Sequence, residues 1–318
     1  MKKNKPILAI VVPCYNEEEI LLYTDENLGQ VLNSLKKQEE IHENSFILYV
    51  DDGSKDNTWE LIMERITRQS HRQGVKLSRN FGHQSALLAG LNNIKGNIDC
   101  VITIDADLQD DIDVIGEMVK QYKNGFEVVY GVRRRRDKDT LFKRKTALFF
   151  YNLMKFLGVE IIYNHADYRL TGSEALDKFF EFKEVNLFLR GIYPLLGYSG
   201  TCVYYDRKER TAGETKYPFR KMLAFALDGI TSFSIKPLRM VTLIGFVVFM
   251  ISIFLALFSL YSYLFLGTVP GWTSITLPIY FISGIQILCI GILGEYLGKI
   301  YKEVKARPRF IVEKFLKS

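Results

Sequence analysis

Asp105-Ala106-Asp107-Leu108-Gln109-Asp110 follows directly on the apolar run Cys100–Ile104. Alternating carboxylates at a strand end point to one side, which suits a hard divalent cation that bridges to phosphate oxygens. Alone the pattern is weak, because acidic loops are common and mostly just solvated. Its context sharpens it. A second acidic stretch, Asp51-Asp52-Gly53-Ser54-Lys55-Asp56-Asn57-Thr58, closes another apolar run, Phe46–Val50. Asp56 or Asn57 reads as a helix cap, whereas Asp51 and Asp52 precede the turn and are better placed to meet a base or ribose. Basic residues gather in Arg133-Arg134-Arg135-Arg136 with Lys138, Lys143, Arg144 and Lys145. A second basic group comprises Arg207, Lys208, Arg210, Lys216, Arg220 and Lys221. Such groups read as a solvated face, a nucleic-acid patch or a phosphate site. Acid in the proposed pocket and a strongly apolar later segment argue against nucleic acid. Phosphates of a nucleotide, of a lipid head group, or of both fit better.

The elements that must position these residues can be read from periodicity. Strand candidates Ile7–Val12, Phe46–Val50, Cys100–Ile104 and Phe126–Tyr130 are continuous runs of aliphatic or aromatic residues, as in strands buried on both faces. Helical stretches near Glu18–Lys37, Asn57–Ser70, Gln84–Ile94 and Ile112–Lys123 lie between them. That βαβα order predicts an α/β fold with a mostly parallel, doubly wound sheet and helices on both faces. Ligands of such sheets sit outside the carboxyl ends of the strands. Here those ends read Pro13-Cys14-Tyr15-Asn16-Glu17, Asp51-Asp52-Gly53-Ser54 and Asp105-Ala106-Asp107.

The chain has 318 residues, 42 Lys+Arg against 36 Asp+Glu, and 48% hydrophobic residues, which excludes a disordered or collagen-like chain. Its cysteines, Cys14, Cys100, Cys202 and Cys289, have no paired spacing, so neither a disulfide framework nor a zinc site is expected. The N-terminal apolar run is too short for a signal peptide and is broken at Pro13. From Met240 to Gly294 there is no charged residue or histidine, a silence of about 55 residues. One crossing of a bilayer needs roughly 20, so the length of this run argues against a purely soluble protein. Two spans fit, about 238–266 and 273–297, divided by Gly267–Trp272 with its Pro270-Gly271. Lys236 and Arg239 precede the first span, and Lys299, Lys302, Lys305, Arg307 and Arg309 follow the second. Positive flanks at both ends place both on the cytoplasmic side. Residues 218–237 alternate apolar and basic positions near helical spacing, which suits an interfacial amphipathic helix or an ordinary surface helix. The expected layout is a catalytic domain over 1–217, the amphipathic segment, a hairpin over 238–298, and a basic cytosolic tail over 299–318.

Taken together, Val12–Glu18, Asp51–Ser54, Ser78-Arg79-Asn80-Phe81-Gly82, Asp105–Asp110, Asp167-Tyr168-Arg169-Leu170 and Gly213-Glu214-Thr215-Lys216-Tyr217 resemble glycosyltransferase family two. With the hairpin, the chain resembles over essentially its whole length the bacterial polyisoprenyl-phosphate glycosyltransferases, relatives of dolichol-phosphate mannose synthase. The resemblance implies a GT-A-type, Rossmann-like domain. It implies that Pro13, Tyr15, Glu17, Asp51, Asp52 and Arg79 line the nucleotide sugar, and that Asp105, Asp107 and Gln109 hold Mg²⁺ or Mn²⁺ with the diphosphate. Arg133 matches an arginine near that diphosphate, and Arg210 and Lys216 match residues that bind the acceptor phosphate. Asp167 and Arg169 stand where the family keeps residues beside the transferred sugar, which with Asp107 makes them the catalytic candidates. Thr215 where serine is usual, and His83 where lysine or glutamine is common, are departures from the pattern.

The implied reaction is inverting transfer of a sugar to a polyisoprenyl phosphate at the cytoplasmic face of the bacterial plasma membrane. UDP-glucose and undecaprenyl phosphate are favoured; a UDP-amino-arabinose derivative, a UDP-N-acetylhexosamine or GDP-mannose are alternative donors. A processive polysaccharide synthase would carry a QxxRW signature, and neither Trp59 nor Trp272 lies in that context. A membrane-anchored nucleotide-binding subunit is the non-enzyme alternative, against which the intact Asp105, Asp107 and Gln109 speak. Gly284, Gly291 and Gly294 would permit close helix packing in a homo-oligomer, or be simply tolerated in a span.

Overall fold

The computed structural model describes residues 4–134, 165–184, 189–206, 236–265 and 271–317. They belong to two compact units. Of these, the first holds the N-terminal part of the chain and also its last residues, from Arg307, and the second holds residues 236–265 and 271–306.

In the first unit, β1 (Leu8–Cys14), β2 (Phe46–Asp51), β3 (Arg72–Leu77) and β4 (Cys100–Thr103) form the parallel centre of an eight-stranded sheet. Strands β5 (Val128–Arg133), β6 (His165–Gly172) and β7 (Gly200–Tyr205) extend it on one side, and β8 (Val312–Lys317) closes the other. The order is β7-β5-β6-β4-β1-β2-β3-β8, with β6 antiparallel to β4 and β5, β8 antiparallel to β3, and β5 parallel to β7. Helices cover both faces, as expected. Leu8, Ile10 and Val12 point into one layer with Leu21, Leu28 and Leu32 of α1 (Leu21–Lys37) and with Ile115, Met118 and Val119 of α4 (Ile115–Lys123). Val11 points to the other, against α3 (His83–Ile94). There a Cβ on Gly90 would stand 2.7 Å from Val11 Cγ1 and 2.8 Å from Val50 Cγ2, so only glycine lets this helix lie so close to the strands.

Helix α2 (Thr58–Arg68) packs Ile62 and Ile66 down on Gly74 of β3. β3 has no place in the periodicity argument. It reads Arg-Gln-Gly-Val-Lys-Leu, and its polar members are absorbed by tertiary contacts that no local pattern announces. Arg72, 5% exposed, donates from Nε to Asp25 of α1 at 2.5 Å, and Tyr49 of β2 donates its hydroxyl to the same carboxylate at 2.7 Å. Two short helices, α5 (Ser173–Phe179) and α6 (Leu189–Leu195), follow β6, and Phe179 stacks on Tyr193 at 5.2 Å.

Residues read as a basic tail contain the end of a helix and then strand β8, whose Val75↔Phe315 and Gly74↔Leu316 pairings cap the β3 edge. Ser78 N–H donates to the Ile311 carbonyl and Arg309 to that of Phe182, extending the attachment. All four cysteines are free.

The second unit contains α7 (Lys236–Phe265) and α8 (Trp272–Lys305), which touch each other. At 1.5 Å per residue they are about 45 and 51 Å long. Lys236–Leu255 and Phe281–Lys305 are long and apolar enough to cross a membrane. Their apolar side chains face outward: Phe254 is 69% and Ile287 71% exposed. In water such a surface would be strongly unfavourable, whereas in hydrocarbon it is matched. Pro278 lies inside α8, and Ala306, in the left-handed region at φ 44°, ends it. Most of the expected amphipathic helix, residues 218–235, lies outside the described residues, as do Arg210 and Lys216.

Candidate functional site

Because β1, β2, β3 and β4 run parallel, their carboxyl ends open on one edge of the sheet. The loops after β1 and β2 are laced together there. Asn16 N–H donates to Ser54 Oγ, Lys55 N–H to Asn16 Oδ1, Glu17 N–H to Thr58 Oγ1, and Asn57 to Glu18 Oε2. Asn16 itself is held at φ 54°, a conformation its short amide tolerates better than most side chains. Pro13 is buried within β1, while Tyr15 is 40% exposed beside it.

Of the two adjacent acids, Asp51 accepts from Ser54 N–H through Oδ1, and its Oδ2 is buried without a partner. Burial pushes its carboxyl above the usual range. Asp52 is turned the other way: its two oxygens accept from the Phe81 and Gly82 N–H groups at 2.7 and 2.9 Å. It therefore orders the Ser78–Gly82 loop, and burial also raises its carboxyl, against the pull of those two bonds. Gly53, at φ 66°, is required twice over, since a Cβ would stand 2.4 Å from the Arg79 carbonyl carbon. Arg79 is exposed on that loop, its guanidinium stacked 4.0 Å from the Phe81 ring.

The third loop carries the alternating carboxylates. Thr24 of α1 donates to the Ala106 carbonyl at 2.6 Å, and Leu108 adopts φ 45°, so the loop is pinned in its middle. Gln109 N–H donates to Asp107 Oδ1, and the Gln109 side chain is buried. Asp167 reaches the same place from β6, whose Arg169 pairs with Thr103; Thr103 Oγ1 donates to the Asp167 carbonyl at 2.5 Å. Desolvation, followed by repulsion from Asp110, Asp167 and Asp107, pushes Asp105 up to about 6, against the opposite pull of His83. His83 Nε2 stands 3.4 Å from Asp105 Oδ1, and 43% of the Asp105 side chain remains open to solvent. Among the described residues no three acids, histidines or cysteines are already gathered as a cation cage. The crowded carboxylates still suit Mg²⁺ or Mn²⁺, because such ions commonly take one or two protein carboxylates and complete their shell with water and phosphate.

Two arginines flank this edge in different ways. Arg133, at the end of β5, donates to Asp110 from Nη2 at 2.8 Å and Nε at 3.1 Å, and its side chain keeps 27% exposure. Arg169 is wholly buried, its guanidinium 3.8 Å from the Tyr193 ring centroid, and among the described residues none hydrogen-bonds to its three nitrogens. It has no exposed surface with which to touch a sugar in this conformation. Thus Pro13, Tyr15, Glu17, Asp51, Asp52, Arg79, Asp105, Asp107, Gln109, Arg133 and Asp167 all lie on or near the one sheet edge, with Arg169 behind it. Asp110, Tyr205, Thr24 and Thr103 join the site only in the folded chain: Asp110 lies within the acidic run Asp105–Asp110, whereas Tyr205, Thr24 and Thr103 carry no local signal.

The sequence model of Glycosyl transferase family 2 matches residues 9–180. An uncharacterized glycosyltransferase of Bacillus subtilis, YkoT, is 51% identical over 98% of this chain and 93% of its own length. The prophage bactoprenol glucosyl transferase homolog of Escherichia coli is 37% identical over 98% of this chain and 99% of its own. The bactoprenol glucosyl transferase of Shigella phage SfII is 38% identical over 96% and 97%.

Proposed function

The chain belongs to glycosyl transferase family 2, and from that premise we propose that it moves glucose from UDP-glucose to a polyisoprenyl phosphate, undecaprenyl phosphate, with inversion. The observation that carries this reading is the delivery of Asp167 by β6 to the edge where Asp105 and Asp107 follow β4. The names of the phage and prophage relatives support the lipid acceptor and the glucosyl group.

Nucleotide recognition falls to the first two strand ends. Tyr15 offers an exposed ring, and Asp51 Oδ2 a buried acceptor still lacking a donor, as a nucleobase N–H would supply. Asp105 and Asp107, with Gln109 behind them, would hold Mg²⁺ or Mn²⁺. When bound, that ion neutralises charge on the diphosphate. An acceptor phosphate oxygen attacks the anomeric carbon as the bond from that carbon to the UDP oxygen breaks. Two dianions become a phosphodiester monoanion and a UDP trianion, so no proton need leave the nucleophile. The acceptor's second pKa is near 6, so at pH 7 it is already mostly ionised. Asp167 accordingly positions the sugar or acceptor, and alignment supplies much of the rate. Arg133 faces the growing charge on the leaving diphosphate.

A bactoprenol-type lipid cannot leave the bilayer, which gives the apolar helices α7 and α8 their purpose. Strand β8, which follows α8, belongs to the same unit as the strands that precede α7. An even number of crossings is the arrangement that pairing supports, with Lys236 and Arg239 on one flank and Lys302 and Lys305 on the other. We place the catalytic domain and both termini on the cytoplasmic side.

The test is transfer itself. Purified protein, undecaprenyl phosphate and Mg²⁺ or Mn²⁺ are mixed with a panel of labelled nucleotide sugars, and label entering the organic phase is counted. Metal-dependent transfer of glucose, lost in Asp107→Ala, is expected. Transfer from another donor alone would correct the sugar, and folded protein that transfers from none would sink the reaction.

A further inference from the structure

Asp110 lies three residues after Asp107 and is the third aspartate of its loop. If it faced the diphosphate, it would add repulsion that an opposing cation would have to overcome. Instead it is 2% exposed and turned into the sheet. One of its oxygens, Oδ1, receives three contacts: Arg133 Nη2 at 2.8 Å, Arg133 Nε at 3.1 Å and the Tyr205 hydroxyl at 2.5 Å. Arg133 Nε also stands 3.4 Å from the Tyr205 oxygen. Arg133 and Tyr205 are register partners on the parallel strands β5 and β7, and Arg134 N–H donates to the Tyr205 carbonyl at 2.9 Å.

The Tyr205 ring is itself fixed, edge-on to Tyr168 at 5.5 Å, and the Tyr168 hydroxyl donates to the Asp111 carbonyl at 3.0 Å. The end of the acidic loop is thus gripped at Asp110 and again at Asp111 by two tyrosines from different strands. A guanidinium is a planar fork with five donors. Here Nε and Nη2 are engaged by Asp110 while the side chain keeps 27% exposure, and the donors of Nη1 are not used by that pairing. An arginine on so long a stem loses much rotamer freedom on ordering; fixing it beforehand removes that loss from ligand binding.

We propose that Asp110 and Tyr205 clamp Arg133 so that its free edge is aimed at the diphosphate of a nucleoside-diphosphate donor, which makes Tyr205 a positioning residue for the transfer. The inference rests on the donor site proposed above. Asp110 is then an arginine anchor and no cation ligand, despite its place beside Asp105 and Asp107.

The probe is UDP with Mn²⁺, titrated calorimetrically into the full-length protein, alongside UDP-glucose kinetics. Tyr205→Phe keeps the ring against Tyr168 and removes only the hydroxyl. It is expected to weaken UDP about fivefold, the scale of one hydrogen bond to a charged group partly transmitted. The KM for UDP-glucose should rise in proportion, with kcat changed less than about twofold. In an Arg133→Ala background the same substitution should do nothing further, because the clamp acts through Arg133 alone. Asp110→Asn, of the same shape, should reproduce the defect should Tyr205→Phe fold poorly. Unchanged UDP affinity in folded Tyr205→Phe, or an equal loss with and without Arg133, would overturn the clamp. Wild-type protein that binds no UDP overturns clamp and donor site together. UDP coupling without sugar transfer would leave the clamp standing and remove the proposed reaction instead.

Discussion

Two clusters in this molecule are built from the same three residue types. Behind the sheet, Asp25 joins Arg72 and Tyr49; at its carboxyl edge, Asp110 joins Arg133 and Tyr205. In each, one carboxylate oxygen accepts from an arginine Nε and from a tyrosine hydroxyl. The difference lies in what surrounds them. Asp25 is fully buried, the Arg72 side chain is 7% exposed, and a second arginine, Arg65, stands 3.9 Å from the other oxygen. Arg133 is open to solvent on one side. A sealed charge trio can only hold helices α1 and α2 to strands β2 and β3, whereas an identical trio at an open edge keeps donors to spare for a ligand.

The strongest way to break this comparison is to remove the acid from the sealed cluster. Asp25→Ala leaves Arg72 and Arg65 buried without a counter-charge and should cost about 3–5 kcal/mol of stability. Chemical denaturation of the isolated variant measures it, and a loss below about 1 kcal/mol would mean that water reaches the cluster. Asp110→Ala should lose less stability and more UDP affinity.

Arg169 sharpens the contrast, because it is buried and among the described residues no carboxylate bonds to its guanidinium. Removing a buried charge relieves its desolvation cost, so Arg169→Leu should raise stability. We expect the melting temperature to rise while sugar transfer falls; a fall in both would show the Tyr193 stack to outweigh desolvation. Removing the hydroxyls gives a smaller effect. Tyr49→Phe should cost about 1 kcal/mol with donor binding intact, the reverse of the pattern predicted for Tyr205→Phe.

The last prediction concerns pH at the open edge. Asp105 is raised to about 6, so it is increasingly protonated as pH falls through that value. A carboxylate must be deprotonated to bind a cation, so Mn²⁺ affinity of the nucleotide-free protein should be full at pH 7.5 and decline below about pH 6, by up to tenfold per unit. Calorimetry across that range tests it, and His83→Gln, which removes a favourable neighbour, should move the decline to higher pH.

Much of the site was readable because its residues follow continuous apolar strands. Parallel order alone then sends Asp51, Asp52, Asp105 and Asp107 to one edge, whatever the details of packing. Strand and helix positions agreed within a few residues for β1, β2, β4 and α1 to α4. Strands β3, β6, β7 and β8 are not among the apolar runs: Arg72, Arg169, Lys314 and Lys317 interrupt three of them, and β7 opens on Gly200-Thr201. Arg72 and Arg169 are accommodated by Asp25 and Tyr193, distant in sequence, while Lys314 and Lys317 stay exposed, and periodicity carries no record of either outcome.

The parallel α/β core, the strand-end acids and the long apolar helices are legible in the chain, because each depends on residues near one another in it. Tertiary structure alone decided that Asp52 orders a loop, that Asp110 faces Arg133 and Tyr205, that Asp167 meets Asp105, and that the chain's end returns as β8. Those outcomes depend on which strands lie side by side and on how far each charge is withdrawn from water. Both are properties of the packed sheet, since a carboxylate's partner is chosen by proximity in space and by the cost of leaving it without one.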